Sequence, residues 1–231
     1  MTTALVLSAG GMFAAWEAGV WKVLAAHLRP DLIIGASAGA WNGWAIAGGA
    51  SPDDLAREWH DTSLAATWLF KTDLLHRKAQ DLWARYQPRV PFGLTVVQVP
   101  HFHTRLVSGP HVTWRHLAAT CAIPGAFPPV AIEDKLFVDG GLLGALPVWA
   151  AEEMGATRAI ALNCLTGATS RILRSVIRPR GPTAAFDAVV IEPSEPLGSL
   201  RDTVCWSHSN IQRWIDLGER DGKRAMSLIT M

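Results

Sequence analysis

The chain has 231 residues, which suits one α/β domain at roughly 100–200 residues per domain and is long enough to bury a core without disulfides or a structural metal. Lys and Arg number 21 against 20 Asp and Glu, a formal charge of +1 with no basic run, so the chain has no phosphate-tracking footprint and nucleic acid is not an expected partner. Cys121, Cys164 and Cys205 are odd in number and in no CxxC spacing, which argues against a disulfide framework or a zinc site and makes a reducing cytoplasm the expected compartment.

Residues 1–12 carry no charged segment ahead of their short apolar run, so a cleaved secretory signal is not expected. Residues 3–7 read as a buried strand, Ser8-Ala9-Gly10-Gly11 as a tight loop, and Phe13, Trp16, Val20, Trp21 and Leu24 as a helical stripe. Leu32-Ile33-Ile34 is a second strand, wholly apolar as a strand covered on both faces should be, and it runs into Gly35-Ala36-Ser37-Ala38-Gly39 and a further helix from Ala38 or Gly39. The uncharged stretch 32–52 is long enough to raise a membrane span, but its five glycines divide it into strand, turn and small-residue helix. Ser51-Pro52-Asp53-Asp54 is a helix start with an N-cap, a first-position proline and acids in the first turn.

Residues 61–91 are mixed and mostly helical, and are read as a helical cap or insertion within one domain spanning 1–231. Strands are expected at 94–99 and 102–107, where the sheet turns antiparallel at one edge, followed by a helix over 113–121. A hairpin turning at Glu133-Asp134-Lys135 delivers Asp139-Gly140-Gly141 at the end of its second arm. A helix from Pro147 closes at Gly155, strands follow at 159–162 and 188–191, and a C-terminal helix over 209–226 presents Ile211, Trp214, Ile215 and Leu217 for packing on the sheet. This alternation implies an α/β fold with a mostly parallel central sheet and helices on both faces. Arg171, Arg174, Arg178 and Arg180 read first as a solvated loop and second as a contact for anionic lipid. The eleven tryptophans are read mainly as packing groups.

A serine nucleophile needs exposure at a sharp turn, a base within hydrogen-bond reach and donors aimed at the oxyanion. The GxSxG corner around Ser37, between a strand and a helix, meets the first need. Asp139 stands at a strand end, where open α/β sheets gather functional loops, and Gly140 and Gly141 leave room for Ser37 to approach. A turn cap is the competing role for an Asp-Gly pair. The backbone N–H groups of Gly10, Gly11 and Ala38 answer the third need. The first loop lacks both the Lys-Ser/Thr ending of a P-loop and GxGxxG spacing, which weighs against a nucleotide site.

Taken in order, Gly10-Gly11, Gly35-Ala36-Ser37-Ala38-Gly39 and Asp139-Gly140-Gly141 resemble the patatin-like phospholipases, acyl-lipid hydrolases with a Ser-Asp dyad. Asn42, the stretch Ile123-Pro124-Gly125-Ala126-Phe127-Pro128-Pro129 and Ala145-Leu146-Pro147 extend the resemblance over most of the chain. It implies a patatin-like fold, Ser37 as nucleophile, Asp139 as its base and Gly10 and Gly11 as oxyanion donors. It further implies an acyl-lipid or phospholipid substrate, no cofactor and peripheral contact with membranes. The chain departs from the family at Ala9, where a third glycine is usual, at Phe13, where Arg or Lys is common, and at Ala14, which replaces a frequent Gly. The missing cation bears on any preference for a phosphate headgroup. Two other readings stay open: a Ser37, Asp139, His208 triad in α/β-hydrolase order, and a non-catalytic lipid- or protein-binding domain. His101 and His103 alternate on a strand but have no third metal ligand placed by sequence.

Overall fold

The computed structural model describes residues 1–62, 71–166, 181–183 and 185–229. Its strands are β1 (Thr3–Leu7), β2 (Leu32–Ala36), β3 (Phe92–Val99), β4 (His103–Ser108), β5 (Val130–Ile132), β6 (Lys135–Asp139), β7 (Arg158–Leu162) and β8 (Asp187–Ile191). The helices are α1 (Ala14–Leu24), α2 (Ala38–Ala47), α3 (Pro52–His60), α4 (Thr72–Arg85), α5 (Trp114–Ala119), α6 (Val148–Glu153) and α7 (His208–Ile229). Arg171, Arg174, Arg178 and Arg180 lie outside the described residues.

β3, β2, β1, β7 and β8 run parallel in that order. Every second side chain feeds a different layer, as the period of a strand dictates. Leu5, Leu7, Ile33, Ile160 and Leu162 join the core under α1, α2 and α7. Ala4, Val6, Leu32, Ile34, Ala159 and Ala161 pack against Val148, Trp149, Ala150 and Ala151 of α6 on the opposite face. The expected α/β layering with helices on both faces is therefore present. Ser51 is the N-cap of α3, as the local sequence indicated, and Asp54 returns the bond to complete a reciprocal capping box. Among the described residues, no helix is long and apolar enough to cross a membrane, and the stretch 32–52 resolves into β2 and α2.

One expectation needs correction. α7 packs chiefly along α1, with only limited contact to the sheet at β8. An apolar stripe specifies that a helix is covered on one side, but not by what. The choice is made by Gly19 and Gly218, which let the two backbones nearly touch: a Cβ on Gly19 would fall 2.1 Å from the Ile215 carbonyl oxygen, and one on Gly218 would fall 2.2 Å from that of Trp16.

The edge pairing of β3 positions everything that follows. β4 pairs with residues 93–98 along one edge of β3. β2, opposite residues 92–95, and β6, opposite residues 96–99, must therefore share the other edge. β2 runs parallel to β3 and β6 antiparallel, so the two strands approach head-on. Ala36 lies opposite Thr95 and Asp139 opposite Val96, so the last residues of both strands meet at adjacent rungs. The antiparallel pair expected from sequence at 94–99 and 102–107 is present as β3 and β4, while it is β6, on the opposite edge of β3, that brings the two distant segments together.

Gly218→Ala is expected to lower stability by about 1–3 kcal/mol, because its methyl group meets backbone that cannot move aside. Urea unfolding checks this, and an unchanged midpoint would contradict the close α1–α7 crossing.

Candidate active site

Ser37 caps β2 at φ 52° and ψ −132°, a sparsely populated conformation for a residue with a side chain. Neighbouring groups fix it. The Ser37 N–H donates to Thr120 Oγ1 at 2.8 Å, and the Thr120 hydroxyl donates in turn to the Thr95 carbonyl at 2.8 Å. The corner also requires close backbone approach, since a Cβ on Gly35 would lie 2.4 Å from Ala40 Cα and one on Gly39 would lie 2.3 Å from the Ser8 carbonyl oxygen. The two glycines of the GxSxG pattern thus press α2 onto β2 and onto the first loop.

The Ser37 hydroxyl donates to Asp139 Oδ2 at 2.6 Å across 102 residues of sequence. Asp139 Oδ1 accepts from the Gly141 N–H at 2.7 Å, so Asp139 also serves as the turn cap weighed against a chemical role. Gly140 is needed for a different contact from the one anticipated, because a Cβ there would strike the Thr95 carbonyl at 1.9 Å. Ser37 and Asp139 are 5% and 6% exposed, so both are largely withdrawn from bulk solvent. Burial pushes the Asp139 carboxyl up to about 6 against the opposing pull of hydrogen bonds from Ser37 and Gly141. The neighbouring Cys121 thiol is likewise pushed up by burial, which keeps it protonated and a poor nucleophile.

Two cavities reach Ser37. One is lined by Met12, Trp41, Trp59, Leu75, Phe127 and Val204. The other is bounded by Gly10, Gly11, Ile123, Leu142 and Leu200 and includes Asp139. No Lys or Arg lines either among the described residues. Gly10 and Gly11 open a short 3-10 turn, Gly11–Phe13, that leads into α1, and Ala38 is the first residue of α2. N–H groups in such first turns have no acceptor within their own helix and are available to an anion.

His208 lies elsewhere. It is exposed at the start of α7, with its ring against those of His60 and Trp206, and it lines neither cavity. Asp139 accepts from Ser37 and Gly141, and among the described residues no imidazole is hydrogen-bonded to it. His101, in the turn after β3, and His103, the first residue of β4, are both exposed and their rings stack. Phe13 is buried edge-on against Trp214 of α7 at 5.1 Å, which accounts for an aromatic residue at a position where the family commonly has a cation.

Sequence reading missed two residues of this region. Thr120, fully buried, carries no motif that would single it out. Glu17, also fully buried, did carry a signal, because it falls within the helical stripe of Phe13, Val20, Trp21 and Leu24 where a carboxyl is out of place.

The family model for "Patatin-like phospholipase" matches residues 5–96 and 110–152, which includes the glycine loop, the Ser37 corner and Asp139 and leaves out, between its two parts, the end of β3, the turn after it and all of β4. The patatin-like phospholipase domain-containing protein 7 of Rattus norvegicus is 28% identical over 189 residues. That alignment covers 69% of this chain and 13% of the relative, so the chain corresponds to a small part of that protein's length. VipD from Legionella pneumophila shares the fold with a TM-score of 0.56 at 9% identity, over 98% of this chain and 67% of that one. With more than half of its length matched by the family model, the chain belongs to the patatin-like phospholipase family.

Proposed function

We propose that the chain is one catalytic domain that hydrolyses acyl esters of lipids through a Ser37 acyl-enzyme, with Asp139 as its base and no imidazole between them. The observation that carries this reading is the 2.6 Å contact between the Ser37 hydroxyl and the Asp139 carboxylate at a strained corner facing two apolar cavities. Membership of the family supports the lipid substrate.

Ser37 Oγ attacks the ester carbonyl while its proton passes to Asp139 Oδ2. The negative oxygen of the tetrahedral intermediate is taken by the N–H groups of Gly10, Gly11 and Ala38. Collapse breaks the ester bond, and the leaving alcohol takes the proton from Asp139. Water then adds to the acyl-enzyme, giving its proton to Asp139, and release of the fatty acid returns that proton to Ser37. A carboxylate held near pH 6 by desolvation is a stronger base than an exposed one and is still ionised at neutral pH.

The cavity walled by Trp41, Trp59 and Phe127 suits the acyl chain, and α4 acts as a cap by contributing Leu75 to its wall. The second cavity takes the alcohol side. With no fixed cation among its described lining residues, it favours an uncharged leaving group. Contact with a lipid surface is peripheral and centres on Leu200, 59% exposed at the rim of this second cavity.

Ser37→Ala is expected to abolish ester turnover, and Asp139→Asn to lower it by about 10^3-fold or more with the fold retained. His208→Asn should leave turnover within about twofold, whereas a triad would require a fall of several powers of ten. Steady-state hydrolysis of a soluble ester reads all three. Full activity in Asp139→Asn, or collapse in His208→Asn, would contradict the dyad.

The wild-type kcat/KM should rise with pH through about 6 and level off above it, as Asp139 ionises. Stability runs the other way. An unfolded Asp titrates near about 3.9, so between there and about 6 the folded chain binds more protons and loses stability as pH rises. Asp139→Asn should therefore be more stable than wild type at pH 8, by about 1–3 kcal/mol, and the advantage should vanish below about pH 4. Denaturant titrations at both pH values test the sign. Leu200→Glu should slow hydrolysis of vesicle-borne esters more than that of a soluble ester, and equal slowing would remove Leu200 from the docking contact.

A further inference from the structure

Glu17 has no exposed surface, and no cation among the described residues pairs with it. Its two oxygens meet only donors. Oε1 accepts from the Ser8 N–H at 2.8 Å and from the Ser8 hydroxyl at 3.1 Å, and Oε2 accepts from the Asn42 amide at 3.0 Å. This polarity is imposed from outside. The Trp59 indole N–H can only donate and lies 2.9 Å from Asn42 Oδ1, so the Asn42 NH2 must face the Ala14 carbonyl at 2.9 Å and Glu17 Oε2. The Ser8 N–H can only donate as well. Residue 17 must therefore offer acceptors on both sides.

Each partner belongs to a different part of the site. Ser8 opens the loop that carries Gly10 and Gly11. Asn42 lies on α2, the helix that begins just after Ser37, and Trp59 walls the acyl cavity. The loop is gripped from its other side too. Ser8 Oγ accepts from the Cys164 N–H at 2.9 Å, and a Cβ on Gly10 would come within 2.3 Å of Cys164 Sγ. Burial pushes the Glu17 carboxyl up to about 8, partly offset by the bonds from Asn42 and Ser8. An apolar side chain would fill the same space without that cost, so packing alone does not explain a carboxyl here. The grip holds in either protonation state. An added proton on Oε1 can turn to Ser8 Oγ, whose own hydrogen turns to Cys164 Sγ at 3.3 Å, while Oε1 still accepts from the Ser8 N–H.

We propose that Glu17 is a positioning residue of the acyl-transfer site: through Ser8 and Asn42 it sets the Gly10-Gly11 loop in register with Ser37. The inference rests on the hydrolase reading above and adds to it the group that aligns the oxyanion donors. Glu17→Gln is the sharp test, because an amide nitrogen cannot accept from either Ser8 or Asn42. The polarity can also be exchanged. In Glu17→Gln combined with Asn42→Asp, the amide at 17 donates to a protonated carboxyl at 42, whose O–H takes over the bond to the Ala14 carbonyl while its other oxygen still accepts from Trp59.

The experiment measures kcat and KM for a soluble ester, and inhibition by a trifluoromethyl ketone of the same acyl chain, which forms a tetrahedral adduct bearing the oxyanion. Glu17→Gln should lower kcat about ten- to a hundredfold and weaken the ketone by the same factor, with KM held within about twofold. The double variant should regain most of both losses. A purely structural role would move thermal stability without moving ketone affinity and kcat together. Wild-type kcat and ketone affinity in Glu17→Gln, or a double variant no better than the single, would overturn the proposal. If circular dichroism shows Glu17→Gln unfolded, the double variant is compared with Asn42→Asp: faster turnover in the double supports the exchange, and slower turnover overturns it. A wild type that neither turns over ester nor binds the ketone would overturn the hydrolase reading itself, an outcome distinct from an active wild type insensitive to residue 17.

Discussion

The long edge of β3 organises the site. Backbone N–H and C=O groups along a buried strand need partners over its whole length, and β2 stops four residues before β3 does. β6 takes the remainder, and because it runs antiparallel its C-terminal end descends onto that of β2. Two chain ends that abut along one edge present their next side chains to each other. Ser37 and Asp139 meet for that reason, although 102 residues separate them. Thr120 completes the junction by bonding to the Ser37 N–H and the Thr95 carbonyl, tying the corner to β3 itself.

The same junction sets the electrostatics. A carboxyl at the meeting of two strand ends is buried by construction, and burial raises its basicity while Ser37 and Gly141 keep it oriented. An imidazole intermediary would need space between the two groups, and at 2.6 Å there is none. Glu17 extends the principle one layer inward. A second buried carboxyl, surrounded by donors, ties the glycine loop to the helix behind Ser37.

Much of this was legible in the chain. The strand-loop-helix opening, the corner at Ser37 and the hairpin delivering Asp139 each combine short-range signals, namely glycine placement, apolar period and turn residues, that act within a few positions of one another. Those signals do not encode what a helix packs against, and the Gly19 and Gly218 contact sent α7 onto α1. Nor do they encode which strand extends an edge, so Asp139 could be placed at a strand end without a view of why Ser37 is opposite. Gly140 illustrates the limit: a need for closeness was readable, but its object, the Thr95 carbonyl, was not. Glu17 was readable in principle as a charge on an apolar stripe, yet its meaning depends on Ser8 and Asn42, which only the fold brings to it.

The central claim is that a carboxylate in direct contact makes the Ser37 hydroxyl nucleophilic. Intact-mass spectrometry with peptide mapping after fluorophosphonate treatment tests it most directly, on wild type and Asp139→Asn side by side. One adduct on Ser37 in the wild type, and none on the same timescale in the variant, is the predicted result. Labelling at full rate without the carboxylate, or an adduct on another residue, would contradict the account.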